Sequence, residues 1–206
     1  DWKDTSVVLQ VKPSVDSYRA IGIRNSFGIT TDPITGNLWM TDNGPDKFDE
    51  INLVENKFNG GWAKIIGSIN DEQLTPISPY GDFVYSNPEF SWELPIGITA
   101  LDFGEGQLFS EYDGWLFVAD SNNGNIYFLK LNKERNGFDF QSEHLKDLVV
   151  NIDPENTYGN FHESMSEIMF GANFGIITDL KFGPDGSLYV VSLMEGTIYR
   201  IYSDSV

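Results

Sequence analysis

Three stretches of the chain repeat one phrase, a glycine followed by an apolar run rich in aromatic and β-branched residues. They are Gly36-Asn37-Leu38-Trp39-Met40-Thr41-Asp42, Gly114-Trp115-Leu116-Phe117-Val118-Ala119-Asp120 and Gly186-Ser187-Leu188-Tyr189-Val190-Val191-Ser192. A turn glycine feeding such a run predicts a strand entered from a tight turn. Downstream of each lies a second run, Glu50 to Val54, Asn125 to Leu129 and Thr197 to Ile201, read as its antiparallel partner. Upstream lies a third, around Phe27 to Thr30, Ile96 to Ala100 and Phe174 to Thr178. The repeating unit therefore has at least three strands. Helical periodicity is almost absent, the best short stretch being Glu163 to Met169, so the class is all-β.

The anchor glycines at 36, 114 and 186 stand 78 and then 72 residues apart. That exceeds the ~40 to 50 residues of the shorter propeller repeats and implies a fourth strand with long connections. Trp62 to Ile66 is the candidate fourth strand of the first unit; Phe138 to Phe140, or Leu145 to Val150, serves the second. A sandwich also uses short strands, but it does not need one phrase three times at long period. The expected architecture is three four-stranded blades of a β-propeller, with blades at roughly 20–70, 90–150 and 172–206 and residues 5–12 belonging to a preceding blade. The whole of 1–206 is then a single partial domain. Propellers close with about four to eight blades, so the remaining blades are expected upstream of Asp1 on the same parent chain or from a second subunit.

Charge narrows the partners. Asp and Glu number 31 against 13 Lys and Arg, a net charge of -18, and such a field repels nucleic acid and anionic lipid. No apolar run approaches the ~18 residues that cross a bilayer, and the absence of cysteine removes a disulfide framework and a thiolate zinc site. A start at Asp1 with no leader segment ahead of it suggests a processed, exported protein, periplasmic or extracellular.

The repeat breaks at one place. From anchor glycine to the isoleucine of the next strand is 15 residues in the first unit (Gly36 to Ile51) and 12 in the others (Gly114 to Ile126, Gly186 to Ile198). The extra residues fall in Asp42-Asn43-Gly44-Pro45-Asp46-Lys47-Phe48-Asp49-Glu50, a loop dense in oxygen donors of the kind hard cations such as calcium take. It lacks the spacing of an EF-hand and reads equally as a solvated acidic turn.

Several motifs in and around this loop carry a family resemblance. Gly22-Ile23-Arg24-Asn25-Ser26-Phe27-Gly28, Asp32 to Trp39, Asn43-Gly44-Pro45, Asp49 to Leu53 and Asn59-Gly60-Gly61-Trp62 resemble, in order, the run that marks glucose/sorbosone and other aldose dehydrogenases; Gly183 to Val190 extends the likeness more loosely. The resemblance implies the C-terminal half of a six-bladed propeller that oxidises aldoses to lactones with pyrroloquinoline quinone (PQQ) and calcium. It also implies roles. The carbonyls of Gly44 and Pro45 match ligands of the cofactor calcium, Arg24 and Asn25 match a pair lining the cofactor pocket, and the main-chain oxygens of Glu50 and Gly60 match a second, structural calcium site. Gly60 stands where the family usually has an aromatic. Asn122 falls where the family has a cofactor-binding lysine, and Ile176 and Thr178 fall near two family arginines. PQQ carries three carboxylates, so losing three cationic partners weakens its expected binding.

The family's catalytic histidine has no counterpart in this chain. His144 sits in a charged stretch as an exposed bystander, and His162 in the long loop 151–172 has no assigned role beyond that loop. Phe90 and Trp92 are either an aromatic wall for a quinone or sugar, or core. Arg24 needs an anionic partner, either a ligand or a nearby Asp. Two functions follow. One is half of a PQQ-dependent aldose dehydrogenase, inactive alone; the other is a calcium-stabilised extracellular propeller that binds or assembles without catalysis.

Overall fold

The computed structural model describes residues 17–69, 82–151 and 165–202. The expected strand at 5–12 and His162 lie outside them. The fold is all-β, with four sheets among the described residues. In the first, β2 (Ile29–Thr31), β3 (Leu38–Asn43) and β4 (Asp49–Leu53) form an antiparallel meander, extended by β7 (Phe90–Trp92) and then by β11 (Val149–Val150), parallel to β7. The second runs β8 (Ile98–Phe103), β9 (Leu116–Asp120), β10 (Ile126–Leu129), β12 (Met169–Gly171). The third contains β13 (Ile177–Phe182), β14 (Leu188–Ser192) and β15 (Thr197–Ile201). A small parallel sheet joins β1 (Ala20–Ile21), β5 (Phe58–Asn59) and β6 (Val84–Tyr85).

The three-strand phrase holds in every unit, and the fourth strands fall elsewhere than expected. Trp62 to Ile66 is a turn following Gly60 and Gly61; the edge of β4 is taken instead by Phe90–Trp92, whose two aromatics are fully buried. The second sheet is completed by Met169–Gly171, while Phe138 makes only an isolated bridge to Leu131 and Val149–Val150 joins the first sheet. Segment 90–150 is thus divided between two sheets. Residues 165–168, part of the stretch with helical periodicity, form a turn leading into β12.

The sheets pack face on face through their inner strands, β2 and β3 against β8, and β8 and β9 against β13. Side chains alternate along a strand, so β9 divides its residues between two cores. Leu116 and Val118 meet Trp39, Ile51, Phe90 and Trp92 of the first sheet, while Phe117 and Ala119 meet Ile177, Leu180, Leu188 and Val190 of the third. A strand buried on both faces needs apolar residues throughout, which is why this phrase has no polar alternation. The two ends of the stack stay open: Phe27 and Ile29 are 64% and 63% exposed on the first sheet, and Ile198 is 65% exposed on the third.

Polar clamps fix the sheets in register. Asn43 Nδ2 donates to the Ile98 carbonyl and Asn43 Oδ1 accepts from the Ile98 N–H, both at 2.9 Å. The Asp102 carboxylate accepts from Thr30 Oγ1 of the first sheet (3.2 Å) and from Lys181 Nζ and the Phe182 N–H of the third (2.7 and 2.9 Å). Arg135 holds Asp32 in a two-point ion pair at 2.7 and 2.8 Å. Asn43→Ala strands the buried Ile98 N–H and carbonyl, and is expected to cost about 2–4 kcal/mol in urea unfolding. Removing the exposed Lys47–Glu93 pair with Lys47→Ala is expected to cost no more than about 0.5 kcal/mol.

Candidate functional site

The β3–β4 hairpin sorts its polar residues by face. Asn43 and Asp49 pair across the hairpin and point to the second sheet; Asp42 and Glu50 pair one position along and point the opposite way. On the first face the Asp49 carboxylate accepts from the N–H groups of Gly44 (3.0 Å), Ile96 (2.8 Å) and Gly97 (2.6 Å). It closes the base of the loop and ties it to the entry of β8. Burial raises its pKa, and those three N–H groups pull it back. Gly44 is required here because a Cβ would run into the carbonyl oxygens of Lys47 and Phe48.

On the other face the Asp42 carboxylate accepts the main-chain N–H of Arg24 at 3.0 Å and of Asn25 at 2.6 Å. Burial raises its pKa, opposed by those bonds and by the charge of Arg24. The Arg24 guanidinium donates through Nη1 to the Asn43 carbonyl (2.7 Å) and stands 5.4 Å from the centroid of the Trp62 ring. Asp42 therefore meets Arg24 through the main chain, and the guanidinium keeps donors to spare. Gly60 and Trp62 come in from the chain after β5, held by Gly60 N–H to Ile21 carbonyl and Trp62 N–H to Gly22 carbonyl bonds, each 3.0 Å. A Cβ at Gly60 would lie 2.7 Å from the Gly22 carbonyl oxygen, so the backbones meet where a side chain has no room.

Glu50 lies deepest. Its Oε1 accepts from Gly67 N–H at 2.7 Å and its Oε2 from Asn52 Nδ2 at 3.3 Å. Burial lifts its pKa to about 7, with the charges of Asp42 and Asp49 adding to the rise. Beside it Asn52, 1% exposed, has an Oδ1 with no hydrogen-bond partner among the described residues.

Folding thus gathers Arg24, Gly44, Glu50 and Gly60 around one cleft, together with Asp42, Asn43, Phe48 and Trp62. Its free space is about 10 Å³, the room one water or one ion needs. Asn25 sits at the rim and Pro45 is exposed beyond the cleft lining. Asn122 is at the same end of the neighbouring sheet, its Nδ2 bonded to the Pro95 carbonyl at 3.3 Å, and does not line the cleft. Trp92 is fully buried, its ring 4.8 Å from Phe90 and 5.2 Å from Tyr127, so it is core and forms no pocket wall. His144 is exposed on a short 3-10 turn. Asp42 and Trp62, legible in sequence only as parts of the acidic loop and of the Asn59–Trp62 motif, are brought to the cleft by the pairing of β3 with β4 and the return of the chain at Gly60, and Asn52 beside Glu50 is an addition.

The oxygen donors lining the cleft suit a hard cation; the orphaned Asn52 Oδ1 lies behind Glu50 and outside that lining. Among the described residues no three His, Cys, Asp or Glu side chains converge as a ligand set, so a cation here depends on main-chain and amide oxygens. The residues fit PQQ less well. Arg24 is the one cation of the expected set, with Asn122, Ile176 and Thr178 standing at the other places. Among the described residues no helix is long and apolar enough to cross a membrane.

Fold and cleft together define an all-β protein of stacked sheets with an oxygen-lined, ion-sized site beside an arginine. The chain belongs to the glucose/sorbosone dehydrogenase family, whose model matches residues 10–200. It is 27% identical over 195 residues to the Synechocystis protein slr1608, covering 93% of this chain and 39% of that one. It is 25% identical over 116 residues to the aldose sugar dehydrogenase YliI of Escherichia coli, covering 55% of this chain and 31% of that one. Among solved structures, a glucose dehydrogenase from Thermus thermophilus aligns with a TM-score of 0.58 at 24% identity over 84% of this chain and 40% of its own. The chain spans less than half the length of each of these relatives.

Glu50 makes a pH prediction. Its folded pKa of about 7 lies above the ordinary 4.5, so between those values the folded state holds more protons than the unfolded one. Its contribution therefore falls as pH rises from about 4.5 to about 7. Without metal, Glu50→Gln is expected to match the parent at pH 4.5 and to exceed it at pH 7.5 by on the order of 3 kcal/mol, read by urea unfolding at both values.

Proposed function

We propose that this chain is the C-terminal half of an exported aldose dehydrogenase of the quinoprotein type, three blades of a six-bladed propeller, and that it is inactive until the other blades close the ring. The observation that carries the reading is the convergence of Arg24, Gly44, Glu50 and Gly60, from three separate stretches of the chain, on one cleft at the end of the sheets. The open faces at Phe27 and Ile29 and at Ile198 supply the apolar surface that further blades would cover. Calcium, held by the carbonyls of Gly44 and Pro45 with a second ion near Glu50 and Gly60, would order the loop. When bound, the quinone would accept the hydride from the sugar. Arg24 offers its unspent N–H groups to a carboxylate or quinone oxygen, with Trp62 beneath the guanidinium to hold it.

The residues at 122, 176 and 178 favour a second reading. Asn122, Ile176 and Thr178 bring no positive charge to the end of the sheets where a tricarboxylate would need it, which supports a calcium-stabilised propeller that binds without oxidising.

One measurement separates them and a second tests the calcium they share. Glucose oxidation with PQQ, calcium and a dye acceptor is expected to be absent for this chain alone and present for the protein with its remaining blades, falling at least about tenfold in Arg24→Ala. Turnover by the chain alone contradicts the half-enzyme reading; none from the completed protein leaves the binding propeller. Saturating calcium is expected to raise the melting temperature of the chain over its EDTA-treated form by about 5–10 °C. An unchanged melting temperature removes calcium from both readings.

A further inference from the structure

A second concave site lies on the outer edge of the second sheet, with a volume of about 250 Å³ and no residue in common with the cleft at Arg24. Trp115, Phe128, Lys130, Asp139, Gln141 and Glu167 line it. We propose that this groove binds a neutral saccharide chain through one pyranose ring.

Its floor is aromatic and fixed. Trp115 stacks on Phe128 at 5.4 Å and 27°, and Tyr112 stands edge-on to both at 5.5 and 5.2 Å. The ring is locked from behind and beside while Trp115 remains half-buried, its indole N–H without a partner among the described residues. A flat aromatic surface with a free N–H at its margin matches a pyranose, whose axial C–H groups form an apolar face and whose hydroxyls project from the edge.

The walls supply the hydroxyl partners. Glu167 is pinned through both oxygens, Oε1 accepting the Gln141 N–H at 2.8 Å and Oε2 the Ser142 N–H at 2.7 Å. A carboxylate oriented in this way keeps a second lone pair on each oxygen and loses no freedom when a hydroxyl arrives. The Gln141 side-chain amide makes no bond among the described residues and is exposed. Lys130 and Asp139 form a loose ion pair at 3.5 Å, about half-exposed on each side, leaving a donor and an acceptor within the rim.

Charge and size exclude the obvious competitors. Two carboxylates against one paired lysine, in a chain of net charge -18, disfavour an anion. An apolar peptide or acyl chain would match the aromatic floor but leave the Gln141 amide and the Glu167 oxygens without hydroxyl partners. A void of about 150 Å³ accommodates benzene, so this groove takes one six-membered ring with its substituents and leaves neighbouring rings in solvent.

The site can be tested on this chain without any cofactor. In saturation-transfer NMR with cellohexaose, maltohexaose and laminarihexaose at millimolar concentration, at least one is expected to receive saturation, strongest on ring C–H protons. Trp115→Ala is expected to weaken binding about tenfold, equivalent to about 1.4 kcal/mol. Gln141→Ala, which removes an exposed side chain, is expected to weaken binding several-fold at an unchanged melting temperature, and it decides the matter if Trp115→Ala does not fold. Arg24→Ala is expected to bind as the parent does, and hexagalacturonate, the anionic counterpart, to bind at least about tenfold more weakly. The proposal is overturned if none of the three hexaoses receives saturation, if the folded groove variants bind like the parent, or if Arg24→Ala abolishes the signal, which would move the sugar to the other cleft.

Discussion

The candidate site depends on the hydrogen bonds that Asn43 and Asp49 make across the seam between the first two sheets. Together these side chains satisfy the N–H groups of Ile96, Gly97 and Ile98, the Ile98 carbonyl and the N–H of Gly44. The Ile96 and Ile98 groups among them are buried by the packing of one sheet on the next and would otherwise go without a partner, at about 1–3 kcal/mol apiece. The same bonds fix both ends of the Gly44 loop. Sheet packing and loop geometry are therefore one constraint, and the loop cannot relax without opening the seam.

Strand alternation makes the arrangement possible. With Asn43 and Asp49 turned to the second sheet, Asp42 and Glu50 must turn away from it, toward Arg24 and Gly60. A one-residue slip in the hairpin would exchange the two sets, setting Glu50 against Ile96 and leaving Asp49 in the cleft. The extra residues between β3 and β4, which interrupt the repeat, sit where neither set is disturbed. The departure from the repeat and the candidate cleft thus coincide at the β3–β4 hairpin.

The three-strand phrases were legible because their middle strands are apolar runs entered from a turn glycine, buried on both faces at Leu38 to Asn43 and Leu116 to Asp120 and alternately buried at Leu188 to Ser192. The fourth strands were not. Phe90–Trp92 and Met169–Gly171 are three residues each and join their sheets after long excursions from Leu53 and Leu129. Strands so short are chosen by which segment reaches an open edge, and their sequence carries no period. The same ambiguity left Trp92 open between wall and core, since its role follows from which sheet Phe90–Trp92 joins. Gly44 and Gly60 were legible as family positions, but the reason each must be glycine, a neighbouring carbonyl where a Cβ would stand, appears only in three dimensions.

The electrostatics of the cleft favour a metal over a large anion. Asp42 and Glu50, which line it, are both desolvated, with raised pKa values, and among the described residues Arg24 is the only cationic side chain lining the same pocket. A divalent ion there would relieve Asp42 and Glu50, while Asp49 is held on the opposite face by the N–H groups of Gly44, Ile96 and Gly97. A tricarboxylate would meet the same negative field with a single guanidinium to offset it.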